Sequence, residues 1–154
     1  MKKFILVLLL GVSSVLLSQN TSERTKHFNL GKDIAINGYD PVAYFTSNKA
    51  LKGNDKFLTN YMGITYQFTS KLNKEYFIKN PTKYEPQYGG WCAYAIGEKS
   101  EKVKINPETF KIIDGKLYLF YNAYFNNTLK TWNKNEDNLI TKANSNWTKI
   151  LKSK

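Results

Sequence analysis

Phe110-Lys111-Ile112-Ile113-Asp114-Gly115-Lys116-Leu117-Tyr118-Leu119-Phe120-Tyr121 is the stretch on which the fold turns. Two runs rich in β-branched and aromatic residues flank Asp-Gly, a pair suited to a two-residue hairpin turn. The second run is aromatic and predicted to lie against the core. Upstream, Phe57–Tyr61 and Ile64–Phe68 flank Met62-Gly63 in the same manner, with Gly63 supplying positive φ. Ser70 is then placed to cap a helix from Lys71 to Lys79 with Leu72, Tyr76 and Phe77 on one face, and Asn80-Pro81 stops it. Pro81 to Gln87 reads as an ordered loop stiffened by Pro81 and Pro86. Farther upstream, Ile34 and Ile36 alternate in a short strand before the bend Gly38-Tyr39-Asp40-Pro41. Downstream, the pattern turns helical from about Ala123, with Phe125, Leu129 and Trp132 on one side. A last helix from Glu136 carries Leu139, Ile140, Ala143, Trp147 and Ile150. The class is α+β: a small single domain with two β-hairpins, a short helix after the first hairpin, and C-terminal helices.

The other end of the chain speaks to destination. Met1-Lys2-Lys3 is a short basic head, and Phe4 to Leu17 follows without a charge. That is the anatomy of a secretory signal. A membrane-spanning helix needs about 20 apolar residues, and Gly11, Ser13 and Ser14 interrupt this run. The expected organisation is a signal peptide over residues 1–19, a flexible lead-in over 20–29, and a folded domain over 30–154. The protein is expected to be exported, to the periplasm or the extracellular space, with no transmembrane segment in the mature chain. An uncleaved anchor is the alternative.

The formal net charge is +11, carried by scattered lysines and one arginine, Arg24. No aromatic-studded RNA-binding strand or paired Cys/His finger accompanies it, so specific nucleic-acid binding is not expected. The charge reads as a solvated surface attracted to an anionic cell envelope. Cys92 and His27 are the sole cysteine and histidine. An intramolecular disulfide is therefore impossible, and Cys92 is either buried, paired with another molecule, or kept for chemistry.

Three segments, taken together, resemble the YHS domain: Ile36-Asn37-Gly38-Tyr39-Asp40-Pro41-Val42-Ala43-Tyr44-Phe45, Tyr61–Phe68, and Phe77–Tyr84. Pro86-Gln87-Tyr88-Gly89-Gly90-Trp91-Cys92-Ala93 and Asp114–Leu119 are similar to the exported branch of that family. The resemblance implies handling of copper or another soft transition metal. Metal-type relatives, however, place cysteines where this chain has Ala43, Thr69 and Asn73, so the thiolates that would select such a metal are absent there. The exported branch keeps its cysteine at Cys92, and some relatives carry selenocysteine, which implies a reactive thiol.

Three readings follow. The first is a non-catalytic domain binding a metal ion or small ligand near Cys92, with Tyr39, Asp40, Tyr88, Gly89 and Gly90 around it. The second is a thiol-dependent redox enzyme with Cys92 as its nucleophile. The third is a structural envelope module with Cys92 buried as a small hydrophobe. Asp40-Pro41 reads equally well as a turn device, His27 as an exposed tail residue and Met62 as a turn residue.

Overall fold

The computed structural model describes residues 21–153; the expected signal over 1–19 lies outside them. In chain order the elements are α1 (residues 21–27), β1 (Leu30–Gly31), β2 (Ile34–Ala35), α2 (Ala43–Thr46), β3 (Asn54–Tyr61), β4 (Ile64–Phe68), α3 (Lys71–Lys79), α4 (Pro81–Tyr84), α5 (Ala93–Lys99), β5 (Asn106–Ile113), β6 (Lys116–Phe120), β7 (Asn122–Ala123), β8 (Asn126–Asn127), α6 (Thr128–Trp132) and α7 (Glu136–Lys152). Helices and antiparallel hairpins in one chain make this an α+β fold, as expected.

Both predicted hairpins form. Tyr61 pairs with Ile64 across Met62 (φ 48°) and Gly63 (φ 84°), and Ile113 pairs with Lys116 across Asp114 (φ 50°) and Gly115 (φ 70°). Positive φ at both turn residues matches the right-handed twist of the strands they join. The first hairpin extends into a four-stranded sheet of order β1-β2-β4-β3. On β4, Ile64, Tyr66 and Phe68 point inward and are fully buried, while Thr65 and Gln67 between them are only partly covered. That is the period-two pattern of a sheet with one face on the core.

β6 divides the interior. Leu117 and Leu119 pack into a cluster with Ile64, Tyr66, Phe68 and Phe77. Tyr118 and Phe120, pointing the other way, join Trp132, Leu139 and Ala143 under α7. A strand buried on both faces explains why this run is apolar at successive positions rather than alternating. The second layer closes where α5 crosses α7: a Cβ on Gly97 would lie 2.9 Å from the Leu139 carbonyl oxygen. Asn146 Nδ2 donates to the carbonyls of Ile96 (3.0 Å) and Gly97 (3.1 Å), capping acceptors at the end of α5.

Four local expectations are corrected, one of them being the loop at Pro81–Gln87, whose first four residues form the helical turn α4 with Pro81 at its start. Residues 21–27 are helical rather than a flexible lead-in, and Arg24 ties them to Glu85, 61 residues away. Ser70 does cap α3 by accepting from Asn73 N at 3.1 Å, but Leu72 and Tyr76 are exposed and Phe77 alone is buried. Asn73 and Phe77, four apart, form the inward seam of that helix. Finally, residues 122–127 form the β7–β8 hairpin, and the helix begins only at Thr128. Asn127 stops the strand there, since its side chain accepts from Leu129 N at 3.1 Å as an N-cap.

Candidate functional site

The residues singled out from the sequence fall into four separate places. Asp40 is fully buried, and its carboxylate is satisfied on both oxygens. Oδ1 accepts from the amides of Val42 (2.8 Å) and Ala43 (3.3 Å) at the start of α2. Oδ2 accepts from Thr69 N (2.8 Å), Thr69 Oγ1 (2.7 Å) and Asn73 Nδ2 (2.7 Å). Ala43, Thr69 and Asn73, far apart in sequence, thus meet around one carboxylate. Asp40 joins the Gly38–Pro41 bend to the β4–α3 junction with its side chain fully buried; it holds the fold and does not line the groove at Tyr88–Gly89.

Cys92 is also fully buried, immediately before α5. Its sulfur accepts from Tyr121 N (3.3 Å) and lies 3.4 Å from Thr128 Oγ1, while its own amide donates to Val103 O at 3.0 Å. Its side-chain partners are a hydroxyl and a backbone amide, and among the described residues no group of three or more His, Cys, Asp or Glu could hold a metal. The copper or soft-metal centre implied by the resemblance does not fit these residues, because one thiol without a second soft donor makes no such site. Tyr39 stands elsewhere again, its hydroxyl 3.4 Å from Glu108 Oε1 and its ring beneath Lys52 Nζ at 5.0 Å.

Tyr88 and Gly89 do line a cavity. It has a volume of about 720 Å³ and lies between α1, the Glu85–Gly89 segment and α7. Tyr88 (φ 54°) and Gly89 (φ 59°) make a left-handed bend at its wall. Gly89 is required there, since a Cβ would sit 2.7 Å from the His27 carbonyl oxygen. The bend is clamped from the N-terminal side: Asn29 N donates to Gly89 O (2.8 Å), Asn29 Nδ2 to Gly90 O (3.0 Å), and Trp91 Nε1 to His27 O (2.7 Å). Gly90 belongs to this clamp rather than to the lining. A left-handed tyrosine is uncommon, and its side chain holds it in place. Tyr88 OH donates to Asn144 Oδ1 at 3.0 Å, and its ring meets Trp147 edge-on at 6.2 Å. Burial, and then the neighbouring Tyr118, push its hydroxyl pKa well above the ordinary phenol value, so Tyr88 stays protonated.

The rest of the wall was not legible as a site. Phe28 and Trp147 supply aromatic surface, and Gln87, Asn144 and Thr148 supply amides and a hydroxyl. Charge is largely cancelled: Arg24 pairs with Glu85, which also accepts from Tyr66 OH, and Glu23 pairs with Lys26 at 2.5 Å. His27, expected on an exposed tail, is half-buried, with its ring edge-on to Trp147 at 6.3 Å and Nδ1 3.1 Å from Lys102 Nζ. Desolvation, and then the Lys102 charge, lower its pKa below the ordinary histidine value. Met62, exposed at its turn, reaches the rim. Comparison with known proteins finds no matching protein-family model, no matching curated protein and no matching solved structure.

Proposed function

We propose that this chain is an exported YHS-type domain acting as a non-catalytic binding module, whose ligand seat is the groove at Tyr88–Gly89 rather than Cys92. The meeting of Ala43, Thr69 and Asn73 around Asp40 supports the YHS reading, because it brings together the three positions that the resemblance relates to one another. The observation that carries the binding reading is the groove itself. Its volume of about 720 Å³ falls within the range of small-molecule sites, and its wall combines aromatic surface with amide and hydroxyl groups.

That lining suits a small neutral ligand bearing hydroxyls or amides on one side and an apolar face on the other, the chemistry of a saccharide. Hydroxyls would pair with Gln87, Asn144 and Thr148, and the apolar face would cover Trp147 and Phe28. Self-cancelled charge at Arg24–Glu85 and Glu23–Lys26 disfavours a strongly ionic ligand. The test titrates neutral mono- and disaccharides, with N-acetylated sugars among them, against tryptophan fluorescence and thermal midpoint. A saturable response weakened about tenfold or more in Trp147→Ala supports the proposal, a loss of about 1.4 kcal/mol. No saturable response in the wild type, or an equal response in Trp147→Ala, overturns it.

A further inference from the structure

Tyr124 and Phe125 are the two central residues of the β7–β8 turn, closed by the pairs Ala123↔Asn126 and Asn122↔Asn127. Their φ values are 50° and 64°. This is the geometry that Asn-Gly adopts easily and that bulky residues occupy only under strain. Burial does not compensate: Tyr124 is 92% and Phe125 113% exposed, and among the described residues neither ring stacks on another aromatic.

The root of the hairpin, by contrast, is tied down. Thr128 donates from both N (3.0 Å) and Oγ1 (2.9 Å) to Tyr121 O, and Asn122 Nδ2 donates to Thr109 Oγ1 at 3.0 Å. Cys92 Sγ sits against Tyr121 N and Thr128 Oγ1 from below. Strained residues persist where the surrounding structure holds them, here the well-tied stem, and they cluster at functional sites. The surrounding charge indicates the kind of contact. On the C-terminal side of the tip Lys130 and Lys134 are exposed and no carboxylate occurs before Glu136; Glu108 adjoins Thr109 at the hairpin root, Lys116 lies at the far end of β6, and the protein's net charge is +11. Lys104, exposed, adjoins Val103, whose carbonyl accepts from Cys92 N beneath the hairpin.

We propose that the β7–β8 hairpin is a membrane-surface finger: Tyr124 and Phe125 enter the interfacial region of an anionic phospholipid bilayer, to whose phosphates Lys130, Lys134 and the protein's net positive charge are attracted. Aromatic side chains are favoured at that boundary, and basic residues near it are attracted by anionic lipid. Among the described residues no helix is long and apolar enough to cross a membrane, and a two-residue tip reaches only the interface. The contact is independent of the groove.

Vesicle co-sedimentation tests it, with wild-type protein and a Tyr124→Asn/Phe125→Gly variant on phosphatidylglycerol–phosphatidylcholine and on pure phosphatidylcholine vesicles. Asn-Gly suits the turn, so the variant keeps the fold and its thermal midpoint equals or exceeds that of the wild type. The expected result is salt-sensitive wild-type binding to the anionic vesicles, weakened about tenfold or more in the variant. Wild type that ignores anionic vesicles, wild type that binds both compositions equally, or a folded variant that binds as well as wild type each overturns the proposal.

Discussion

Cys92 Sγ accepts the backbone N–H of Tyr121 at 3.3 Å, so the single thiol of the chain closes the root of the β7–β8 hairpin. With no exposed surface, it is out of reach of alkylating reagents in the native state. Native protein is expected to react with iodoacetamide only as fast as it opens, and denatured protein at the rate of a free thiol. Fast saturable labelling of native protein near pH 6 would instead restore the redox reading. Cys92→Ala leaves the Tyr121 amide without its acceptor and is expected to cost about 1–3 kcal/mol in urea unfolding.

Asp40 is a second structural knot. Five donors converge on its two oxygens, and an asparagine in its place turns one acceptor into an NH₂ facing other donors. Asp40→Asn is expected to destabilise by about 2–3 kcal/mol, in the range for hydrogen bonds to a charged group. The groove lies elsewhere, so saccharide titrations of the folded variant should be unchanged. A variant as stable as wild type would show that the carboxylate does not hold the bend.

What the sequence made legible was chemistry confined to a few neighbouring residues. Asp114-Gly115, Met62-Gly63 and the Ser70 cap each act within one turn, and α7 begins at Glu136 as its pattern predicts. What it hid depends on distant partners. α1 has no apolar repeat of its own, and its tie runs from Arg24 to Glu85. The groove gathers residues from four parts of the chain, of which only Tyr88 and Gly89 stood out beforehand as a pair. Phe125, four residues before Leu129, mimics a helical stripe, yet it sits in a turn whose residue types argue against that turn.

The α5–α7 crossing sets two known effects against each other. Gly97→Ala removes a poor helix former from α5, a gain of about 1 kcal/mol in an isolated helix. The added methyl, however, would stand 2.9 Å from the Leu139 carbonyl oxygen, which is backbone and cannot swing aside. Shifting α7 by a few tenths of an ångström disturbs Leu139 and Ala143 in the second core, and overpacking of that kind costs about 1–3 kcal/mol. Net destabilisation is therefore expected in urea melts. A stabilised Gly97→Ala protein would mean that the helices can separate freely.

His27, which lines the groove, is expected to make the stability of the fold depend on pH. Desolvation first, and then the positive charge of Lys102, lower its folded-state pKa below the ordinary value; Lys26 acts in the same sense and Glu23 opposes them. Lys102 Nζ, 3.1 Å away, donates to Nδ1 of the neutral ring, which leaves the proton on Nε2. The unfolded chain therefore takes up the proton first as the solution is acidified. The stability that this neutral ring contributes is fully present above about pH 6.5, the unfolded value, and is lost as pH falls below it toward the folded pKa. His27→Gln should flatten the stability profile across that window, leaving the steeper loss at the lower pH where carboxylates protonate. Because the chain has a single histidine, its ring C–H resonances report the titration without ambiguity. A midpoint below that of a model peptide is expected, moving upward in Lys102→Ala as the opposing charge is removed. A wild-type midpoint at or above the peptide value would show that Lys102 and the Trp147 edge do not hold His27 neutral.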